Sequence, residues 1–263
     1  MKKFVFLGIV LALFGVIAYS SYQLIDINRS TAQETELHNR LIQYRTAPQQ
    51  LASDTQLGDS IVELSMSTEI EPVPFVDQSI LNLQASFQDV VGWIEIPNTR
   101  VYYPFAQGDD NDHYLYYDLE QNRSAAGTIF MDYRNSDEFT DFNTIIHGHH
   151  MRSGSMFATL QQFNNQAFFD NNDSATIYLL NATYQIEFMA FAVIQPDDMI
   201  IYNPMITSAA DKIEFLDYVR NIARYYRDIG VMANNRIVTL STCNYEFSNA
   251  RMVLIGRLRP TEI

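Results

Sequence analysis

The chain has 263 residues, of which 47% are hydrophobic and 18% charged, with a formal net charge of −14. Such a length and composition suit one sizeable folded domain with appendages rather than a disordered chain. The acidic balance argues against nucleic acid, whose phosphates require a basic footprint, and against an anionic membrane as a partner of the domain surface.

Met1, Lys2 and Lys3 precede an uncharged apolar run over 4–19, extended over 20–25 with nothing ionised before Asp26. A bilayer-crossing helix needs about 20 such residues, and the two lysines hold an N-terminus in the cytoplasm. The expectation is a single-pass transmembrane anchor over 1–26, placing the protein in the cell membrane with the rest of the chain outside. The competing reading is a cleaved signal peptide, with Ala18-Tyr19-Ser20 as a loose small-x-small site. Residues 27–75 read as a stalk and linker. Glu34, Glu36 and Gln43 suit a helix over 27–46, and a short helix is expected over 60–66.

A folded domain is expected over 76–263. It opens with a short helix over 80–87 and strands over 90–96 and 101–105. An acidic turn follows at 108–112, then a helical turn over 113–119. Asp109, Asp110 and Asp112 lack the spacing and distal glutamate of an EF-hand loop, and read as a solvated helix start. Strands are predicted over 127–132 and 143–147, the second running into a turn at Gly148. A helix is predicted over 155–163 and a hairpin over 175–180 and 183–194. Residues 208–227 read as a helix with a capping-box-like start at Ser208 and an apolar face of Ile213, Leu216, Val219, Ile222 and Tyr226. Strands over 236–243 and 252–258 follow. About eight short strands with few helices between them predict a mainly β, α+β fold, a barrel or sandwich rather than a doubly wound sheet.

Cys243 is the only cysteine. Outside the cell an unpaired thiol risks oxidation, so it is either a buried small apolar residue or a working nucleophile. It ends one predicted strand, and Arg251 starts the next. A guanidinium beside a thiol favours thiolate and can bond a developing oxyanion. His147, His149 and His150 form the one histidine cluster. They are open to three readings: structural imidazoles, part of a zinc ligand set, or an acid–base partner for the thiol. No nearby carboxylate or second cysteine completes a metal site.

Thr239-Leu240-Ser241-Thr242-Cys243, with Arg251 eight residues on, resembles the nucleophile and arginine motifs of the class B sortases of Gram-positive bacteria. The stretches 143–151 and 154–157 resemble that class's histidine motif, and 91–97 and 127–135 resemble further signposts of it. His147 stands where the family usually has tyrosine and His150 where it usually has asparagine, which leaves His149 aligned with the catalytic histidine. The resemblance covers about 85–263. It implies an eight-stranded sortase β-barrel preceded by the N-terminal helix. It also implies a cysteine transpeptidase in which Cys243, His149 and Arg251 are catalytic and Asn111, Leu115 and Ser241 line the substrate groove. The implied partners are secreted proteins with a C-terminal sorting motif and a peptidoglycan peptide amine, with the membrane reached through the N-terminal helix and with no cofactor or metal required. The alternatives are a pilin-polymerising sortase, a purely hydrolytic cysteine protease, and a non-enzymatic surface receptor for haem or metal.

Overall fold

The computed structural model describes residues 2–46, 75–243 and 250–261. The elements in chain order begin with helices α1 (Lys2–Thr46) and α2 (Gln78–Ser86), strands β1 (Val90–Glu95) and β2 (Tyr102–Ala106), and the single turn α3 (His113–Tyr116). Strands β3 (Ile129–Met131) and β4 (Asn143–His147) lead to a 3-10 helix at Ala158–Asn164 and to α4 (Gln166–Asn171). After them come β5 (Ser174–Leu179), β6 (Thr183–Ile194), α5 (Ala209–Ile222), β7 (Tyr225–Tyr226), β8 (Arg236–Cys243) and β9 (Arg251–Pro260).

The sheet order is β5-β1-β2-β3-β4-β8-β9-β6, and β5 also pairs with β6, so eight strands close into a barrel. The two-residue β7 extends it beside β6. Most pairings are antiparallel, but β2–β3 and β4–β8 are parallel. Alternation along the strands divides the core. Val238, Leu240, Met252 and Leu254 face the barrel interior with Phe105, Ile146, Phe157 and Phe188. Ile237, Val253 and Ile255 face outward onto Phe215 and Val219 of α5. This two-residue period is what a strand buried on both faces requires.

Helices α2 and α5 begin where side chains satisfy their first amides. Asp77 caps α2 by accepting from the amides of Ser79 and Ile80, and Ser208 caps α5 by accepting from that of Asp211. The expected helix over 208–227 ends at Ile222 because β6 captures the following backbone: the amides of Arg224 and Arg227 donate to the carbonyls of Phe191 and Met189. The helix expected over 155–163 is a 3-10 helix starting later. Gly154 and Met156, at φ +82° and +52°, hold a left-handed backbone just before it. The helix expected over 60–66 lies outside the described residues.

The N-terminus corrects an expectation. Among the described residues no helix is long and apolar enough to cross a membrane. The apolar run does not stand as a separate anchor: it continues without a break into a 45-residue helix whose second half carries charge and packs on the barrel. The expected transmembrane helix therefore falls, and with it the membrane contact and the single-pass placement with a cytoplasmic N-terminus. What docks instead is the part expected to be a stalk. Leu41 is buried among Ile80, Leu83, Trp93 and Tyr114, and Arg40 pairs with Glu120 at 2.7 Å. Arg45 bonds Asp77 at 2.7 Å and the Ser79 hydroxyl at 2.8 Å, and lies 3.9 Å above the Tyr178 ring. A cavity of about 340 Å³ remains between α1 and the barrel, bordered by Glu34, His38 and Tyr103. Burial raises the Glu34 carboxyl and lowers the His38 imidazole.

Candidate active site

Three neighbouring strands, β4, β8 and β9, deliver the candidate residues. Cys243 ends β8 and pairs across the antiparallel ladder with Arg251, the first residue of β9. On the other side β4 runs parallel to β8, with His147 opposite Ser241. Two residues on along the two chains come His149 and Cys243. The β4–β8 pairing is carried one step further, because the Gly148 amide donates to the Ser241 carbonyl at 3.1 Å. The barrel thus brings His149, Cys243 and Arg251 to one end of three adjacent strands. Arg251 is half-buried and also faces Ile194 at the end of β6.

Gly148 is what lets His149 sit there. A Cβ at this position would meet the buried Phe157 ring at 2.8 Å and Ile129 at 3.3 Å. The His149 carbonyl accepts from the Phe157 amide at 3.0 Å, and its Nε2 lies 2.7 Å from the Leu115 carbonyl. A carbonyl only accepts, so Nε2 carries a proton and Nδ1 is the nitrogen left to gain or lose one. Gly127 makes the Leu115 contact possible. It holds φ +57°, and a Cβ there would strike the Tyr114 and Leu115 carbonyls at 2.5 and 2.8 Å. Leu115 therefore meets the histidine through its backbone, while its side chain packs against the core under α1.

Ser241 and Asn111 belong to a polar network beside this row. The Ser241 hydroxyl lies 2.8 Å from that of Tyr202, on the loop between β6 and α5. Asn111 Nδ2 donates to Asp132 Oδ2 at 2.9 Å, and its Oδ1 accepts from the Tyr133 amide. Asp132, 1% exposed, also accepts from the Arg134 guanidinium at 2.7 and 2.8 Å. Burial alone would raise its carboxyl, but the bonds from Arg134 and Asn111 prevail and hold it well below the usual carboxylate range. Arg134 reaches on to the Tyr202 carbonyl at 3.2 Å. Asn143, fully buried, donates to the carbonyls of Ile201 and Asn203 and accepts from the Thr239 hydroxyl. The loop carrying Tyr202 is thus tied to the turn after β3, to β4 and to β8.

Sequence reasoning assigned no role to Asp132, Arg134, Asn143 or Tyr202. The first three lie in stretches that carried the family resemblance, where a buried charge or amide could have been suspected. Tyr202 had no signal, because Arg134, His147 and Ser241, which it meets, come from distant segments. His150 is placed away from the row, 3.0 Å from the Gln161 side chain.

A closed barrel that sets a cysteine at a strand end across from an arginine, with a histidine leaving the neighbouring parallel strand, is the architecture of the sortases. The Sortase domain model matches residues 94–259, and the chain belongs to the sortase family. Its place within the family is class B. Over 188 residues it is 36% identical to sortase B of Listeria monocytogenes, covering 70% of this chain and 75% of that one. The sortase B structure of Clostridium perfringens matches with a TM-score of 0.65 and 31% identity, over 68% of this chain and 98% of that one. The substrate complex of Staphylococcus aureus sortase B matches with a TM-score of 0.67 and 28% identity, over 71% and 87% of the two chains.

Proposed function

We propose that this class B sortase cleaves a sorting motif after its threonine and joins the freed acyl group to a cell-wall peptide amine. The observation that carries the reading is the register that puts Cys243 opposite Arg251, with His149 following the His147–Ser241 pair. The Cys243 thiolate attacks the threonine carbonyl, forming a C–S bond. Arg251 bonds the oxyanion of the tetrahedral intermediate. As the C–N bond breaks, His149 Nδ1 gives its proton to the departing amine. An incoming amine then loses a proton to the same nitrogen and attacks the thioester, a new amide forms, and the thiolate is released. Asn111, Leu115 and Ser241 border the groove for the motif. Their support is placement: Leu115 bonds His149, Ser241 sits two residues before Cys243, and Asn111 anchors the Asp132 network.

The test is intact mass after incubation of the full chain with threonine-containing sorting peptides, with and without triglycine. The expected result is an acyl adduct on Cys243 that triglycine discharges to a new peptide. Cys243→Ala should form none, and Arg251→Ala should form it about 10²–10³-fold more slowly. Release by water alone, with no gain of product when amine is added, would reduce the reading to a hydrolase.

A further inference from the structure

His147 ends β4 between two aromatic rings, with Phe130 at 5.2 Å and Tyr202 at 6.0 Å between centroids. Its Nε2 is buried and makes no hydrogen bond. Asp132 Oδ2 lies 3.7 Å from it, outside hydrogen-bond range. A buried polar atom held just short of a carboxylate is an unusual resting state, because unsatisfied groups are costly. An extra proton changes the balance: a cation opposite Asp132 is drawn the last fraction of an ångström into a bond.

We propose that His147 is a positioning residue that makes sorting-peptide binding pH-sensitive, by locking or releasing the Tyr202 wall beside the candidate nucleophile. This rests on the transpeptidase reading. Protonated, His147 closes on Asp132 and clamps its ring against Tyr202. Tyr202 then holds Ser241 through the bond between their hydroxyls. Neutral, the imidazole is unlatched from Asp132 and the loop at 198–203 gains freedom. Other groups face His147 as well. They are the Asp132 carboxylate just after β3, the Arg134 guanidinium bound to that carboxylate, and the His149 imidazole two residues on. Tyr202 and Ser241 present neutral hydroxyls. Imidazole is the side chain whose unperturbed charge change falls between pH 5 and 8, and that sets the range over which the latch is to be tested.

The experiment measures kcat and KM for a sorting peptide from pH 5.5 to 8 in the full chain and in two variants. His147→Gln keeps a neutral hydrogen-bonding side chain, and His147→Phe keeps the ring between Phe130 and Tyr202. In the parent, KM should be at least about threefold lower at pH 5.5 than at pH 8. Both variants should lose that slope while the kcat profile keeps its shape. A variant that retains the KM slope, or that shifts the kcat profile instead, overturns the proposal. Hydrogen exchange over 198–203, corrected for intrinsic rates, gives a readout that does not depend on turnover. Protection that rises as pH falls in the parent but not in His147→Gln supports the latch; protection independent of pH in the parent sinks it. If no Cys243 adduct forms with any peptide, the transpeptidase reading fails, and the exchange measurement still decides the role of His147.

Discussion

Asp132 is the residue on which the ground beside the candidate site rests. It is a buried carboxylate whose oxygens accept from Arg134 and Asn111. Its carboxyl is held below the ordinary range, so its contribution to stability is complete above the unfolded value of about 4 and is lost as pH falls through the folded value. Asp132→Asn is expected to cost about 1–3 kcal/mol at pH 7. In urea titrations the gap between parent and variant should narrow below about pH 4; a gap that stays constant to pH 2 would contradict this sign. Gly148 sets a different constraint, one of space. Gly148→Ala forces a methyl group into Phe157, and overpacking of this kind costs about 1–3 kcal/mol. The same displacement moves His149, so acyl-adduct formation should slow even at temperatures where the variant is fully folded; an unchanged adduct rate would show that His149 tolerates the shift.

Among the elements, α1 departs furthest from what sequence alone conveyed. An apolar run followed by polar residues has the pattern of an anchor and a spacer, and it is partners distant in sequence, on α2, β1, β2 and β5, that make its second half part of the domain. Arg45 is the tie: it is mostly buried, paired with the α2 cap Asp77 and stacked on Tyr178. Arg45→Ala leaves Asp77 without its cation and is expected to cost about 3 kcal/mol. Hydrogen exchange should show 36–46 and 78–86 losing protection together; a loss confined to α1 would mean that α2 holds without it. Elsewhere the strand pattern was plain, because strands with apolar residues at a two-residue period are bounded by Pro97, Gly148 and Asn181. The two-residue β7 and the six-residue α4 were not legible. Both are too short to carry a period, and both exist because neighbours satisfy their backbones.

At the scale of the molecule, the strand count left a barrel or a sandwich open and the family resemblance pointed to the barrel, while its two parallel joins were not legible, since pairing partners leave no local mark. The candidate row was legible as residue types: a lone cysteine, an arginine eight residues on, a histidine cluster. Their register was not. The net charge of −14 also belongs to this scale. A strongly acidic protein is repelled by anionic wall polymers, and salt screens that repulsion over about 10 Å at 0.1 M. Retention on purified wall should therefore be lowest at low ionic strength; retention that rises as salt is removed would show a local attraction that outweighs the net charge.

The parallel join between β4 and β8 links residues far apart in the chain: Asn143 and Thr239, bonded across it, are 96 positions apart. Closing so long a loop is entropically costly, and folds dominated by non-local pairing form slowly. Until that join forms, β8 and β9 can bring Cys243 opposite Arg251 as a hairpin, but the strand leading to His149 is not beside them. On the transpeptidase reading, the candidate acid–base partner therefore reaches the strand end of Cys243 only when that long-range join has formed, so the site is assembled by the barrel's topology and not by any local segment.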